Sequence, residues 1–302
     1  MIAATASAQA AVIHEVGVVL LVMCSVLFVG VMALLAFALR PHAHGALRAG
    51  RWVVGGGVVL PVCVLSALLV YTVARTAVLT AAAGSELVIT VVAHPWWWEV
   101  RYRDPAGGPD VVLANEVHLP VGHRVTIGLT ASDVIHSFWV PALGGKTDAL
   151  PGRISHWQVL AERAGSYRGQ CAEFCGDQHA RMAMHVVAHA PADFDAWLAA
   201  QARPAHEPTS EPARRGRALF VERRCTVCHT VQGLSQASGG PDLTHVGSRS
   251  HLAAGTLPMT AEALAGWIAD PQAHKPGARM PAARDLPAAD LQALAAYLLG
   301  LR

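Results

Sequence analysis

Two short cysteine clusters could carry chemistry in this 302-residue sequence. In the first, Cys225-Thr226-Val227-Cys228-His229, the C-x-x-C-H spacing is that of a covalent c-type haem site. The two thiols take the vinyl groups, and the adjacent imidazole gives the iron one axial nitrogen. A zinc site would need a second ligand pair and a thioredoxin-like motif a βαβ setting, and the sequence supplies neither. Iron held by His and Met suits electron transfer. The downstream thioethers are Met259, at the start of a predicted helix, and Met280, in the stiff loop Lys275-Pro276-Gly277-Ala278-Arg279-Met280-Pro281.

The second cluster is Cys171-Ala172-Glu173-Phe174-Cys175-Gly176-Asp177-Gln178-His179-Ala180-Arg181-Met182. Two thiolates, an imidazole and a thioether form a soft donor set. Zinc would accept Cys and His, and a Cys171–Cys175 disulfide is geometrically open. A terminal Met favours copper over zinc, and a disulfide leaves His179 and Met182 unexplained. Two thiolates can bridge a pair of copper ions, so that both share one electron with little change of geometry. Each ion then needs a nitrogen, which calls for a second His. His136, at the end of a predicted strand in Asp133-Val134-Ile135-His136-Ser137-Phe138-Trp139-Val140-Pro141, is a fitting partner. His118 and His123 flank a turn, His185 and His189 continue a strand, and His42 and His44 sit in a loop. Cys24 and Cys63 lie in apolar runs and read as small apolar residues.

The elements that must position these clusters follow from composition. The chain is 53% hydrophobic and only 15% charged, with a net charge of +2. Disorder and a nucleic-acid footprint are thereby excluded. Val16–Leu39 and Trp52–Ala74 carry no charge, and each exceeds the ~20 residues that cross a bilayer. Residues 1–15 contain no Lys or Arg, which a secretory signal would require. Arg40, Arg48 and Arg51 lie between the runs, so the positive-inside rule puts that loop in the cytoplasm and both chain ends outside. After Gly84 come short β-branched segments punctuated by Gly and Pro: Glu86–Ala93, Trp96–Tyr102, Val111–Val117, Arg124–Thr130, Val134–Val140, Ile154–Ala161, Ser166–Gln170 and Met182–Ala190. They predict a sandwich or Greek-key barrel closed by a helix, Asp193–Gln201. Ala202–Pro212 reads as a proline-rich linker, and helices are predicted over Arg214–Val221, Thr260–Ala269 and Pro287–Leu299. The domains are thus 1–84, a tail and two-helix transmembrane hairpin (helices about 16–39 and 52–74); 85–201, all-β; 202–212, linker; and 213–302, all-α.

Residues 213–302 resemble a class I cytochrome c. Gly216-x-x-x-Phe220 and Leu294-x-x-Tyr297-Leu298 match that family's first and last helices, and Gly240-Pro241-Asp242-Leu243 matches the loop after the haem His. By that resemblance the axial ligands are His229 and Met280. Residues 14–200 resemble cytochrome c oxidase subunit II, with two membrane helices and a cupredoxin domain. His136, Cys171, Glu173, Cys175, His179 and Met182 look like its dinuclear CuA site, and Lys146-Thr147-Asp148-Ala149-Leu150-Pro151-Gly152-Arg153 is similar to a further subunit II signature. The resemblance implies sulfur bridges from Cys171 and Cys175 and one imidazole per ion from His136 and His179. It also implies a weak axial Met182, a ligating Glu173 carbonyl, and a Glu173 side chain that reaches a magnesium ion shared with subunit I. Met184 is the alternative thioether. In Trp96-Trp97-Trp98, which otherwise suggests core and interface packing, the resemblance makes Trp96 the residue through which electrons enter. Pro95 and Trp97 stand where Gln and Tyr are common.

The implied function is electron transfer within a prokaryotic plasma-membrane oxidase of caa type. Haem c receives the electron and the CuA pair passes it to subunit I, where oxygen is reduced to water and protons are translocated. The expected partners are subunits I and III, membrane lipid, and a donor such as a quinol–cytochrome c reductase or another cytochrome c; nucleic acid is not among them. The segment Asp104–Asn115 is poor in acids, as expected where a fused haem segment replaces a soluble basic donor. A linker this short gives an effective concentration of about millimolar. The alternatives are a CuA subunit of a nitric-oxide or nitrous-oxide reductase, which would need a different catalytic partner, and a membrane-anchored metal chaperone, which would want exchangeable ligands.

Overall fold

The computed structural model describes all residues except 1–4, 41–48, 81–83, 85–86, 104–107 and 109. His42, His44, Arg48, Glu86 and much of the acid-poor segment after Asp104 therefore lie outside the described residues. The chain forms two units, residues 8–84 and residues 1–7 with 85–302.

The first unit holds two long apolar helices. Helix α1 spans Ala8–Ala38, starting earlier than the charge-free run, because Ala8–His14 adds good helix formers before Glu15. The second helix runs without a break over Gly50–Thr76. It comprises α2 (Ala49–Val54), a π turn (Gly55–Val59) and α3 (Leu60–Thr76). The π turn has a local cause: Pro61 has no amide proton for the ordinary i→i−4 bond, and Leu60 N–H bonds back to Gly55 O instead. With 31 and 27 residues, both helices exceed the ~20 needed to cross hydrocarbon. Tyr71 donates to Glu15 Oε1 at 2.9 Å, and Arg75 pairs with the same carboxylate.

The second unit begins with a β-sandwich. Its strands are β1 (Leu87–His94), β2 (Trp97–Tyr102), β3 (Val111–Ala114), β4 (Glu116–Pro120), β5 (Arg124–Ala131), β6 (His136–Trp139), β7 (Thr147–Pro151), β8 (Ser155–Leu160), β9 (Gly165–Cys171) and β10 (Ala183–His189). They are ordered β3-β2-β1-β5-β7-β6-β9-β10-β4, with β8 on β5. Ile89, Val91, Val125, Ile127, Leu129, Phe138 and Val186 fill the core, none with exposed surface. Alternation along β1 and β5 turns their remaining side chains outward, as period two requires. Residues 5–7 join this domain: Ala6 is 2% exposed, donates to Ala142 O at 2.8 Å and accepts from Glu162 N at 2.9 Å.

Three readings change here. Val111–Val117 is two strands, not one. Asn115 takes φ 63 and its side chain accepts from Trp98 N at 2.9 Å, so the chain turns between β3, which pairs with β2, and β4, which pairs with β10. His136 opens β6 rather than ending a strand, because Ser132–Val134 form a bend whose Asp133 bonds the His136 ring. Strand β7 is an addition that alternation did not reveal.

The helical part contains α4 (Pro191–Gln201), α5 (Glu211–Glu222), α6 (Ala261–Ala269), α7 (Pro271–His274) and α8 (Ala288–Gly300), with a two-strand ribbon, β11 (His251–Leu252) and β12 (Leu257–Pro258). Ser210 caps α5, accepting from Ala213 N. Helices α5 and α8 cross with Gly216 at the contact: a Cβ there would lie 2.0 Å from Ala293 O, so only glycine permits the approach. Phe220 and Tyr297 meet edge to face beside it. We expect Gly216→Ala to force these helices apart at a cost of about 1–3 kcal/mol. The effect is measurable as a lower thermal midpoint and reduced haem attachment, and an unchanged midpoint would show that the crossing is slack.

Candidate metal and haem sites

The second cluster assembles where three strands meet. β9 ends at Cys171, β6 begins at His136, and Met182 stands just before β10. Cys171 N donates to Met182 O at 2.8 Å and Ala172 N to Ser137 O at 2.9 Å, closing the loop at its base. Cys171 Sγ and Cys175 Sγ are 3.8 Å apart, well beyond the ~2.05 Å of a disulfide. His136 Nδ1 lies 3.8 Å from Cys171 Sγ, and His179 Nδ1 3.7 Å from Cys175 Sγ. Met182 Sδ is 4.0 Å from Cys175 Sγ, and Glu173 O is 3.2 Å from Cys171 Sγ. The structure therefore brings all six expected residues together, one imidazole on each sulfur. Met184 is placed elsewhere: it packs over Gly169, where a Cβ would come within 2.3 Å of its sulfur.

This donor set fits copper. It is soft, largely buried and balanced about two sulfurs, and the His136 imidazole is oriented from behind. His136 Nε2–H donates to Asp133 Oδ1 at 2.9 Å, which leaves Nδ1 facing the sulfur. Burial pushes the His136 pKa down, but its bonds to Cys171 and Asp133 outweigh this and raise it. The bond to Cys175 draws the Cys171 thiol far below its ordinary range, while the same bond and burial push Cys175 up. The pair thus releases one proton readily and holds the second, which a bound metal must displace. Asp133 carried no recognisable signal in the sequence beyond its place three residues before His136.

The Glu173 carboxylate pairs with Lys146 Nζ at 3.2 Å and is half-exposed. A single carboxylate already paired with a cation does not by itself make a magnesium site.

The haem motif lies on a short 3₁₀ turn, Cys225–Val227, entered through Arg224 at φ 59. His229 Nδ1–H donates to Pro241 O at 2.8 Å, which fixes the tautomer and frees Nε2. Gly240 stands against the ring, where a Cβ would be 2.9 Å from His229 Cε1. Beside it opens a cavity of about 450 Å³, walled by Cys228, His229, Leu264, Trp267, Met259 and Met280. A mainly apolar space with a thiol, an imidazole nitrogen and thioethers on its wall fits a covalently attached haem.

Residues of the β domain close that cavity, among them His94, Trp96 and Trp97. The three tryptophans differ in task. Trp98 has no exposed surface and packs edge to face on Phe138. Trp97 stacks on His94 at 4.4 Å. Trp96, at φ 67, donates its indole N–H to Cys175 O at 3.0 Å. Further contacts join the two parts: Glu116 Oε1 accepts from Ser250 N at 2.7 Å, Ala183 N donates to Ala254 O at 3.0 Å, and His185 stacks on His251 at 4.1 Å. None of these cross-contacts was visible in the sequence, because nothing in the spacing relates residues so far apart.

A β-sandwich with a thiolate–imidazole–thioether loop, joined to a helical Cys-x-x-Cys-His domain, defines a copper- and haem-carrying electron-transfer protein. Residues 109–189 match the family described as "Cytochrome C oxidase subunit II, periplasmic domain", and residues 213–302 match "Cytochrome c". Cytochrome c oxidase subunit 2 of Alkalihalophilus pseudofirmus is 38% identical over 250 residues, covering 81% of this chain and 71% of that protein. The subunits 2 of Bacillus sp. (strain PS3) and Bacillus subtilis are 33% and 32% identical; the matches cover 72% and 73% of this chain but 62% and 64% of those proteins. The crystal structure of the periplasmic domain of subunit II of the Bradyrhizobium japonicum cytochrome oxidase is 30% identical, at TM-score 0.37, over 39% of this chain and 95% of its own. The chain belongs to the cytochrome c oxidase subunit 2 family, with a fused cytochrome c domain that implies haem c beside CuA.

Two outcomes follow from this geometry. Asp133→Ala should weaken copper binding by about 10–100-fold while leaving haem attachment intact. Copper titration of the metal-free protein reads this directly, and unchanged affinity would remove Asp133 from the site. Burial raises the Glu116 carboxyl, but His118, the Ser250 N–H and Arg249 together hold it below its ordinary 4.5. Its stabilising contribution is therefore complete above pH 4.5 and lost as pH falls through the lower folded value. Thermal midpoints should drop across that acid range in the native protein and be flatter in Glu116→Gln.

Proposed function

We propose that this chain takes electrons from an external donor into its haem domain and delivers them, through its β domain, to the oxygen-reducing subunit I. The observation that carries the reading is the shared wall. Trp96 lines the cavity beside Cys228 and His229 and hydrogen-bonds the carbonyl of Cys175.

When bound, haem c and the copper pair supply one-electron oxidation and reduction. Cys225 and Cys228 would hold the haem covalently, and His229 Nε2 and Met280 would ligate its iron. Met280 is preferred to Met259 because Met259 N–H is tied to Ser250 O in the β12 segment, whereas Met280 stands in an irregular loop between α7 and α8. Cys171, Cys175, His136, His179, Met182 and the Glu173 carbonyl would together hold the copper pair. Burial of His136, Cys171, Cys175 and Met182 would limit the access of water to the metals and restrict how far these ligands move on a change of charge. Glu173 would turn its carboxylate to magnesium only together with ligands from subunit I. Subunit III, and a quinol–cytochrome c reductase or another cytochrome c as donor, complete the proposed assembly.

We further propose that both termini and both redox domains face the outer side of a prokaryotic plasma membrane. Arg40, just after α1, and Arg51, in the first turns of the second helix, support this by the positive-inside rule, as does the hydrogen bonding of residue 6 into the β domain.

The test is composition. The protein purified with its membrane partners should contain a copper pair and a haem c per chain, and Cys171→Ser should abolish the copper near-infrared absorption without touching the haem spectrum. A single zinc or a Cys171–Cys175 disulfide in the native protein would overturn the proposal.

A further inference from the structure

We propose that Lys275 is a positioning residue for transfer between the two redox sites: by binding the Trp96 carbonyl it keeps that indole wedged between the haem cavity and Cys175. The inference rests on the function proposed above. Lys275 is 4% exposed, and its Nζ donates to Trp96 O at 3.1 Å. A bulky residue at φ 67 is strained by about 1–2 kcal/mol. Trp96 therefore needs neighbours that fix it in place. The Cys175 carbonyl takes its indole proton, and Gly176, at φ 106, leaves room for the ring, which would lie 3.4 Å from a Cβ there. Lys275 holds the main chain of the same residue from the haem side.

The lysine is itself held in register. Gln178 of the copper loop donates to Pro276 O, and Arg181 donates to His274 O. The carbonyls on both sides of Lys275 are thus gripped by the loop that carries Cys175, His179 and Met182, and the ammonium between them points at Trp96. An apolar side chain would be easier to bury here than an ammonium. What the ammonium gains is the hydrogen bond to Trp96. Without it, Gln178, Arg181, the Glu116–Ser250 bond and the His185–His251 stack still join the domains. Only the Trp96 turn is released.

The experiment uses the full chain in its oxidase complex, with haem c reduced by a light pulse and the copper absorption followed in time. Lys275→Met should slow transfer about tenfold, within the ~100-fold that a misplacement of ~1 Å can cost where geometry sets a rate, while metal content, both spectra and protease resistance of residues 202–212 stay as in the native protein. Lys275→Arg should recover most of the rate. A native rate in Lys275→Met with intact spectra overturns the proposal. If Lys275→Met does not assemble, Lys275→Gln, whose amide falls short of the carbonyl, decides by the same rate. Failure of both variants to assemble would make Lys275 structural and also overturn it. A native protein that lacks copper, haem or transfer would instead sink the function proposed above.

Discussion

Two thiols kept close yet apart are the constraint from which this molecule is built. At 3.8 Å the Cys171 and Cys175 sulfurs are too far for a bond to each other and near enough to face a common guest. The backbone imposes that spacing, through Cys171 N–H on Met182 O and Ala172 N–H on Ser137 O. β6, β9 and β10 exist in the right register because their side chains fill the sandwich. The cluster is where those strands end, and the imidazoles come with it. His136 is turned by Asp133, and His179 by the 3₁₀ turn His179–Arg181.

The haem domain is bound to this frame by a mixed set of contacts. Glu116 is a buried acid that would be costly alone, and it is matched by a backbone amide from Ser250, by His118 and by the charge of Arg249. Arg249 is itself buried, donates to Asp242 O at 2.5 Å and lines the haem cavity. Desolvation lowers its pKa, while Glu116 and Asp242 pull in the other direction. Acid and base thus balance across the junction. This buried arrangement specifies one pose more sharply than an apolar patch would, since any slip leaves a charge unmatched.

Local chemistry was legible in the sequence, and long-range register was not. The cysteine spacings, the terminal Met182 and the charge-free helices announce themselves through residue type and separation. Strand β7 escaped because Thr147–Pro151 mixes Asp with Pro and shows no alternation. The Val111–Pro120 stretch concealed a change of sheet, since a left-handed Asn115 looks like any polar residue until its side chain is seen on Trp98 N. His136 could be matched with Cys171 only through family resemblance, because the pairing of β6 with β9 is set by packing across the sandwich. The Lys275–Trp96 and Glu116–Ser250 contacts had no signal at all, since each joins residues of different domains.

The proline-rich stretch after α4 is seated rather than slack. Arg203 O accepts from His245 Nε2 at 2.8 Å, Ala205 packs on the haem-domain core, and Glu207 reaches Arg217. Effective concentration, the usual measure of a tethered reactant, therefore says little about this pair of domains. Internal hand-over should depend little on ionic strength, because the charged groups that meet at the junction, Glu116, Arg249 and Lys275, are buried and mobile ions screen them only weakly. Whatever salt dependence the intact protein shows would then arise somewhere other than this junction.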